Sequence, residues 1–496
     1  ACGPDFLIEV QISGEEEQPG YTTEDWLDFC KLCEGLVDIF QVRGWEGSCV
    51  HVTGFNSEKE RPFALKYAEA FKARGIDVKI APVGGFLDAD SMERFLAEGR
   101  TDLIAMARGL MADPQRAEKM KTGRGKEITP CLLCMKCLHP SCSVNPQLAE
   151  MENPDLFPEL EPEPKRVAVI GGGPAGLRAA LEAAKLGHQV VLYERNDYLG
   201  GQLKFAYFQT FKWPYKDYLE WLIRQVKSYR VDIRMNTAAV PEELKAEGYD
   251  AVICALGSAP KAPPVAGVDS AKVWQIDDVY GHEQELDRRV VVVGGGDAGR
   301  ETALYLAQCG HEVKLLTRTQ QGYTDNNHCI LGTVELYRSA KSLEIIEFAE
   351  TLEIQDKCVR CRVKTNMPRR PLTFNSVSEL THRPKKPVKK IPLFLYPEYP
   401  DITPKMPVGG EGKDGRKTGF PQPKEHIVHI DEKDIITEER TLECDSVVVA
   451  GGRESRRDEA AAFAGVAPRI FVIGDNITPG TVTECTLTAY MAARAL

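Results

Sequence analysis

Residues 167–195 read VAVIGGGPAGLRAALEAAKLGHQVVLYER. An apolar strand runs into glycines at Gly171, Gly173 and Gly176, and a helix opens at Ala175 and Gly176. A second strand follows, with an acid, Glu194, at its end. This is the order of a dinucleotide-binding βαβ unit. The glycines allow a tight turn and close approach of a pyrophosphate, the helix N-terminus offers oriented N–H groups, and Glu194 can accept from adenosine ribose hydroxyls. A glycine triplet alone says little. Both strands, the helix and the acid together favour dinucleotide binding over a plain crossover.

A second copy, RVVVVGGGDAGRETALYLAQCGHEVKLLTR, occupies 289–318 with Gly294, Gly296 and Gly299. Two such units in one chain point to two dinucleotides, one held and one visiting. The second copy ends in Thr317 and Arg318 rather than an acid. Arg318 either accepts a 2′-phosphate, favouring NADPH, or is an exposed strand-end arginine. Upstream of the first copy, the acidic, proline-rich LFPELEPEPK at 156–165 reads as a linker.

Before that linker, PCLLCMKCLHPSCSVNP at 130–146 carries Cys131, Cys134, Cys137 and Cys142. Two-residue gaps let thiolates from one tight loop reach separate irons of a 4Fe–4S cluster. Structural zinc commonly uses two CxxC knuckles separated by a longer loop, so the spacing favours the cluster and leaves zinc and free thiols as alternatives. Cys30 and Cys33, in a helical pattern, read as core packing. Cys358 and Cys361, three apart in a strand-like run, fall on opposite faces.

Residues 1–115 alternate LIEVQIS, TEDWLDFCKLCEGL, DIFQV, a helix around 61–74, VKIAPVGG, SMERFLAEG and DLIAMARGL. Short apolar strands between amphipathic helices predict parallel βαβ units. Gly84 and Gly85 end one strand and Arg108 ends the next, a pattern suited to a phosphate site of the kind found after the last strands of a TIM barrel. The alternative is a plain turn and a surface ion pair.

Composition excludes several classes. Asp and Glu number 73 against 62 Lys and Arg, which leaves no basic footprint for nucleic acid and no polybasic membrane anchor. No run of about eighteen apolar residues occurs, and the N-terminus lacks a leader pattern. Fifteen cysteines, several clustered, fit a reducing cytoplasm better than a disulfide scaffold. A cytoplasmic homo-oligomer is expected.

Other segments complete a resemblance. YDAVICALGSAP (249–260, with Gly257), CDSVVVAGG (444–452), RIFVIGDN (469–476) and ERNDYLGGQL (194–203) make residues 167–496 similar to the FAD and NAD(P) domains of the two-dinucleotide flavoproteins. With LMADP, the cysteine loop and SVNP ahead of them, the whole order resembles the Old Yellow Enzyme-related iron–sulfur flavoproteins, such as 2,4-dienoyl-CoA reductase, enoate reductases and trimethylamine dehydrogenase.

The resemblance implies an α/β chain. It would comprise the C-terminal half of a TIM barrel (1–125, strands five to eight), an iron–sulfur loop (126–150), and two nested Rossmann-like domains. The FAD domain would be 151–280 with 441–496, and the NAD(P) domain 281–440. FMN would lie at Gln11, Gly84, Gly85, Ala107 and Arg108. FAD would lie at the first glycine loop, Gly201, Gln202, Gly257, Gly474 and Asp475, with Asp475 on the ribityl chain. Electrons would pass between NAD(P)H, FAD, the cluster and FMN, reducing an activated C=C bond of an unsaturated acyl-CoA or carboxylate.

The chain departs from the family in several places. Strands one to four and the proton-donating residues are absent, so a preceding segment or a partner chain would complete the barrel. Gln11 stands where the family has an arginine, removing a cation that stabilises reduced flavin. The loop between Cys137 and Cys142 is short, and the Pro- and Lys-rich stretch 365–410, with His382 and the lysines at 385–390, reads as a solvated loop, with an insertion that contacts a partner or covers a cleft as the alternative. An electron-transfer component without a substrate of its own is the alternative function, and an amine dehydrogenase a third.

Overall fold

The computed structural model of the protein describes residues 3, 5–16, 20–43, 62–134, 136–138, 141–152, 163–320, 340–367 and 434–496. The described residues up to 152, with Thr210–Ser228, form one compact unit. Those from 163 to Gln209 and from Tyr229 onward form another.

In the first unit, β1 (Glu9–Ser13), β2 (Ile39–Arg43) and β3 (Lys79–Val83) make a parallel sheet in that order. The period-2 alternation sends Ile12, Phe40, Val42 and Ile80 to one face, where they pack with Leu27, Cys30, Tyr67 and Phe71. Those partners come from helices Thr23–Leu32 and Leu65–Ala73. Cys30 is therefore a core residue. Thr22 starts the first helix with a reciprocal capping box to Asp25.

The expected strand in DLIAMARGL shrinks to a single bridge, Val83 to Ala105. The cause is Pro82. Its carbonyl accepts from Ala105 N–H at 3.1 Å, but it has no N–H to return to Leu103. The Leu103 carbonyl accepts the Thr101 hydroxyl at 2.9 Å instead. Helix Arg108–Ala112 follows directly.

The second unit holds two parallel five-stranded sheets. One comprises β4 (Arg166–Ile170), β5 (Gln189–Tyr193), β6 (Asp232–Arg234), β7 (Ala251–Cys254) and a last strand, Arg469–Val472, at the edge beside β7. Helix Pro174–Lys185 packs on β4 and β5 and is covered by helix Val482–Arg494, so its small residues are buried nearly all round. Leu177 and Leu181 are fully buried there, each stabilising the fold by about 1.5–3 kcal/mol.

The chain leaves this sheet through β8 (Ser258–Pro260) and builds the other. That sheet contains β9 (Val273–Gln275), β10 (Arg289–Val293), β11 (Glu312–Leu316), β12 (Leu343–Ile346) and a later strand, Ser446–Val449. An antiparallel sheet of β13 (Ala349–Gln355), β14 (Cys358–Lys364) and β15 (Thr437–Glu443) lies between β12 and β16 (Ser446–Val449) in the chain. The chain returns through β17 (Arg453–Ser455), antiparallel to β8, to reach β18 (Arg469–Val472). Cys361 is buried in the β14 core while Cys358 is partly exposed. His382 and the lysines at 385–390 lie outside the described residues. Among the described residues, no helix is long and apolar enough to cross a membrane.

Candidate functional site

The first glycine loop is held open by backbone geometry. Gly171 has φ +106, and a Cβ there would sit 2.4 Å from the Ala255 carbonyl oxygen; a Cβ on Gly176 would meet the Gly171 oxygen at 1.8 Å. Only glycine fits this strand–turn–helix junction. The Glu194 carboxylate is buried. It accepts Gly172 N–H at 2.7 Å on one oxygen and Asn196 N and Nδ2 at 2.8 and 2.6 Å on the other. The acid expected at a ribose thus also shapes the glycine turn.

The GGQL segment clasps the same loop. Gly200 N–H donates to the Gly172 carbonyl at 2.8 Å, and Gly201 lies against Gly173. Gln202 donates to Asp277 at 3.1 Å. Across the sheet, Gly474 N–H donates to the Thr488 hydroxyl at 3.0 Å. Asp475 accepts from the Ser258 hydroxyl and from Gly480 N–H, both at 3.0 Å, and burial pushes its pKa up. Asn476 is fully buried. Its Oδ1 accepts Leu256 N–H at 3.3 Å, and its Nδ2 has no partner among the described residues. A buried orphan donor beside a glycine cradle fits a polar ligand such as a dinucleotide. Gly257, at φ +74, has open space where a side chain would project.

The second glycine loop repeats the device. Gly294 has φ +118 and faces the Ala450 oxygen as Gly171 faces Ala255, while a Cβ on Gly299 would meet the Gly294 oxygen at 1.9 Å. Gly296 has nothing within 4 Å, leaving room at the helix N-terminus. Asp297 in the first turn would oppose a phosphate there, and Arg300 donates to it. Arg318 is exposed just beyond β11, and the Thr317 side chain is buried beside it.

In the other unit, Cys131, Cys134, Cys137 and Cys142 line one cavity with Arg108, Met111 and Ser143. Among the described residues, no group of three or more His, Cys, Asp and Glu side chains closes on a single metal ion. Leu133 N–H donates to Cys131 Sγ at 3.4 Å, and Ser143 Oγ lies 3.1 Å from Cys134 Sγ. Burial pushes the Cys131 thiol up to about 12, with Arg108 opposing the shift. Cys137 and Cys142 are also raised by burial. Partly buried thiols facing a common void are a donor set that a metal centre would draw in as thiolates. This chemistry fits a cluster.

Both ends of the cysteine loop are tied to LMADP. Asp113 accepts Thr129 N–H at 2.9 Å and Lys119 Nζ at 2.7 Å, and Asn145 Nδ2 donates to the Met111 carbonyl at 2.8 Å. Sequence reading quoted these motifs without giving Asp113 or Asn145 a task. A carboxylate and an amide in the motifs on either side of the cysteine run were the available signal.

Gly84 and Gly85 take φ +127 and +82 at the end of β3, and a Cβ on Gly84 would collide with Phe63 at 2.3 Å. Ala107 precedes helix Arg108–Ala112, and Arg108 faces the cysteine cavity. Gln11, exposed on β1, donates to its register partner Gln41, which donates to Glu9 at 2.8 Å.

Comparison with known proteins gives three kinds of likeness. Residues 165–328 match the family described as pyridine nucleotide-disulphide oxidoreductase. The chain is 34% identical to NADH oxidase of Thermoanaerobacter brockii over 333 residues, which is 64% of this chain and 50% of that protein. It is 34% identical to cinnamate reductase of Clostridium sporogenes over 260 residues, 51% of this chain and 38% of that protein. The chain therefore spans half or less of these two relatives. A solved 2-naphthoyl-CoA reductase superposes with TM-score 0.78 at 23% identity, covering 99% of this chain and 65% of that one, which establishes likeness of fold.

Proposed function

Because the chain belongs to the Old Yellow Enzyme-related flavoprotein oxidoreductases, we propose that it is the electron-handling part of an NAD(P)H-dependent iron–sulfur ene reductase. The substrate class is an α,β-unsaturated acyl-CoA or carboxylate. The carrying observation is that one chain holds two glycine cradles of the same construction and four thiols on one cavity.

On this reading, the first cradle, with Gly201, Asp475 and Asn476, holds FAD, and the second receives NAD(P)H. The four cysteines hold a 4Fe–4S cluster. The β1–β3 sheet and the segment bridged at Ala105 are strands five to eight of a flavin barrel, with Gly84, Gly85 and Arg108 at the FMN phosphate. A preceding segment or a partner chain completes that barrel. When bound, the flavins supply hydride chemistry and the cluster moves single electrons between them.

The chain's own residues then have distinct tasks. Glu194 and Gly172 fix the turn that faces the adenosine half, and Asp475, oriented by Ser258, accepts a hydroxyl of the held cofactor. Arg108 places a cation beside the thiolates. A second reading, an electron-transfer component without its own substrate site, is favoured by Gln11. Its amide is engaged by Gln41 and brings no charge to the place where a cation would stabilise reduced flavin.

Acid-released flavin, set against iron and protein in the anaerobically purified chain, separates the two. FMN and FAD in equal amounts with about four irons support the reductase. FAD and iron without FMN support the electron-transfer component. A chain that takes up neither FAD nor iron would sink both.

A further inference from the structure

Arg453 opens β17, one residue beyond the AGG turn, and no motif singled it out. Its guanidinium is four-fifths buried, and each of its three nitrogens donates. Nη1 and Nη2 donate to the two Asp277 oxygens at 2.8 and 3.0 Å, a bidentate fork. Nε donates to the Ser258 hydroxyl at 2.8 Å, and Nη2 also reaches the Ser258 carbonyl at 2.9 Å. Having accepted from Arg453, the Ser258 hydroxyl has its single proton free for Asp475 at 3.0 Å. Asp277 in turn accepts from Gln202 at 3.1 Å.

Donors and acceptors therefore alternate without conflict along one line: Gln202, Asp277, Arg453, Ser258, Asp475. The line crosses three parts of the fold. Gln202 belongs to the GGQL segment clasped to the first glycine loop, Asp277 follows β9 of the second nucleotide sheet, and Arg453, opposite Pro260 on the β8–β17 ribbon, reaches diagonally to Ser258 on the other strand. A lysine could not hold this arrangement, since a single ammonium cannot grip both carboxylate oxygens while also reaching Ser258 in the plane of the fork.

We propose that Arg453 is a positioning residue with two outputs. Through Ser258 it aims the Asp475 carboxylate into the FAD cradle, and through Asp277 it fixes the second nucleotide-binding sheet against the segment that runs past the flavin. The first output rests on the FAD assignment made above. The second concerns the chain alone. Orientation between the two sheets decides whether a nucleotide on one reaches a cofactor on the other, so the latch is a determinant of nicotinamide approach.

The experiment compares Arg453→Met, Ser258→Ala and Asp277→Asn by two readouts on the full chain. One is the dissociation constant for FAD added to apoprotein. The other is amide hydrogen exchange at Ile276–Val279, read without cofactor. Arg453→Met should weaken FAD about tenfold and speed exchange at Ile276–Val279 about tenfold, the loss of one charge-assisted contact on each side. Ser258→Ala should reproduce only the FAD loss, and Asp277→Asn only the faster exchange. Unchanged exchange in both Arg453→Met and Asp277→Asn would overturn the latch. Unchanged FAD affinity in Arg453→Met and Ser258→Ala would overturn the positioning of Asp475. A wild-type chain that ignores FAD while showing the exchange pattern would overturn the FAD assignment and leave the latch standing. If Arg453→Met fails to fold, the Ser258 and Asp277 variants decide each output separately.

Discussion

Asp113 accepts the Thr129 backbone N–H at 2.9 Å and so ties the entrance of the cysteine loop to the helix that carries Arg108. The carboxylate is almost fully buried and also takes Lys119 Nζ at 2.7 Å and Gln115 N–H at 3.0 Å. One side chain thereby sets where Cys131 begins.

Asp113→Ala is expected to cut the iron retained per chain to about half or less, as loss of an outer-shell partner does at metal sites. Asp113→Asn keeps one acceptor oxygen and should retain more. Iron analysis alongside far-ultraviolet circular dichroism checks this. Equal, full iron in both variants would show the tie to be irrelevant to the loop.

Gly296 and Gly299 separate function from fold. Gly299→Ala drives a Cβ to within 1.9 Å of the Gly294 oxygen and should destabilise the second nucleotide sheet by about 2 kcal/mol or more. Gly296→Ala meets nothing within 4 Å and should leave the melting temperature unchanged while weakening NAD(P)H about tenfold, because the methyl enters the space a pyrophosphate needs. Melting curves and nucleotide titrations distinguish the two.

Arg318 tests nucleotide choice. If its exposed guanidinium meets a 2′-phosphate, Arg318→Ala should weaken NADPH about tenfold and leave NADH nearly unchanged. Parallel losses, or none, would remove it from that role.

The acid limb of stability should carry the mark of Glu247. Arg234, with Tyr249 and Tyr193, holds its carboxyl at about 2, below the ordinary 4.5. A depressed carboxylate stabilises the fold above its unfolded pKa, and that contribution fades as pH falls from 4.5 toward 2. The group is partly exposed, so screening reduces the effect to about 1 kcal/mol. Denaturant curves should show Glu247→Gln less stable by that amount at pH 7 and level with wild type near pH 2. A constant difference across pH would contradict the assignment.

The nucleotide units were legible because their constraint is local: a glycine whose Cβ would strike Ala255 or Gly294 announces itself at fixed spacing in the sequence. Core cysteines were legible for the same kind of reason, Cys30 falling on the apolar face of its helix. What escaped was long-range pairing. Ser258 meets Asp475 across more than two hundred positions, and Arg453 meets Asp277 across 176. No periodicity encodes such partners. The shortened strand at Ala105 was readable in hindsight from Pro82, whose missing donor acts on the neighbouring segment and not on its own.

Pro260 and Arg453 stand opposite one another where the chain leaves and re-enters the first nucleotide sheet. Everything between them is, topologically, a guest with a single doorway. A splice across those two positions would excise the second nucleotide sheet without cutting a strand of the first. On the assignment proposed above, an exchange there for a guest of different nucleotide preference would retarget the reductant while the host keeps its cofactor. On the same assignment, two crossovers, one at each side of the β8–β17 ribbon, are enough to change the electron donor.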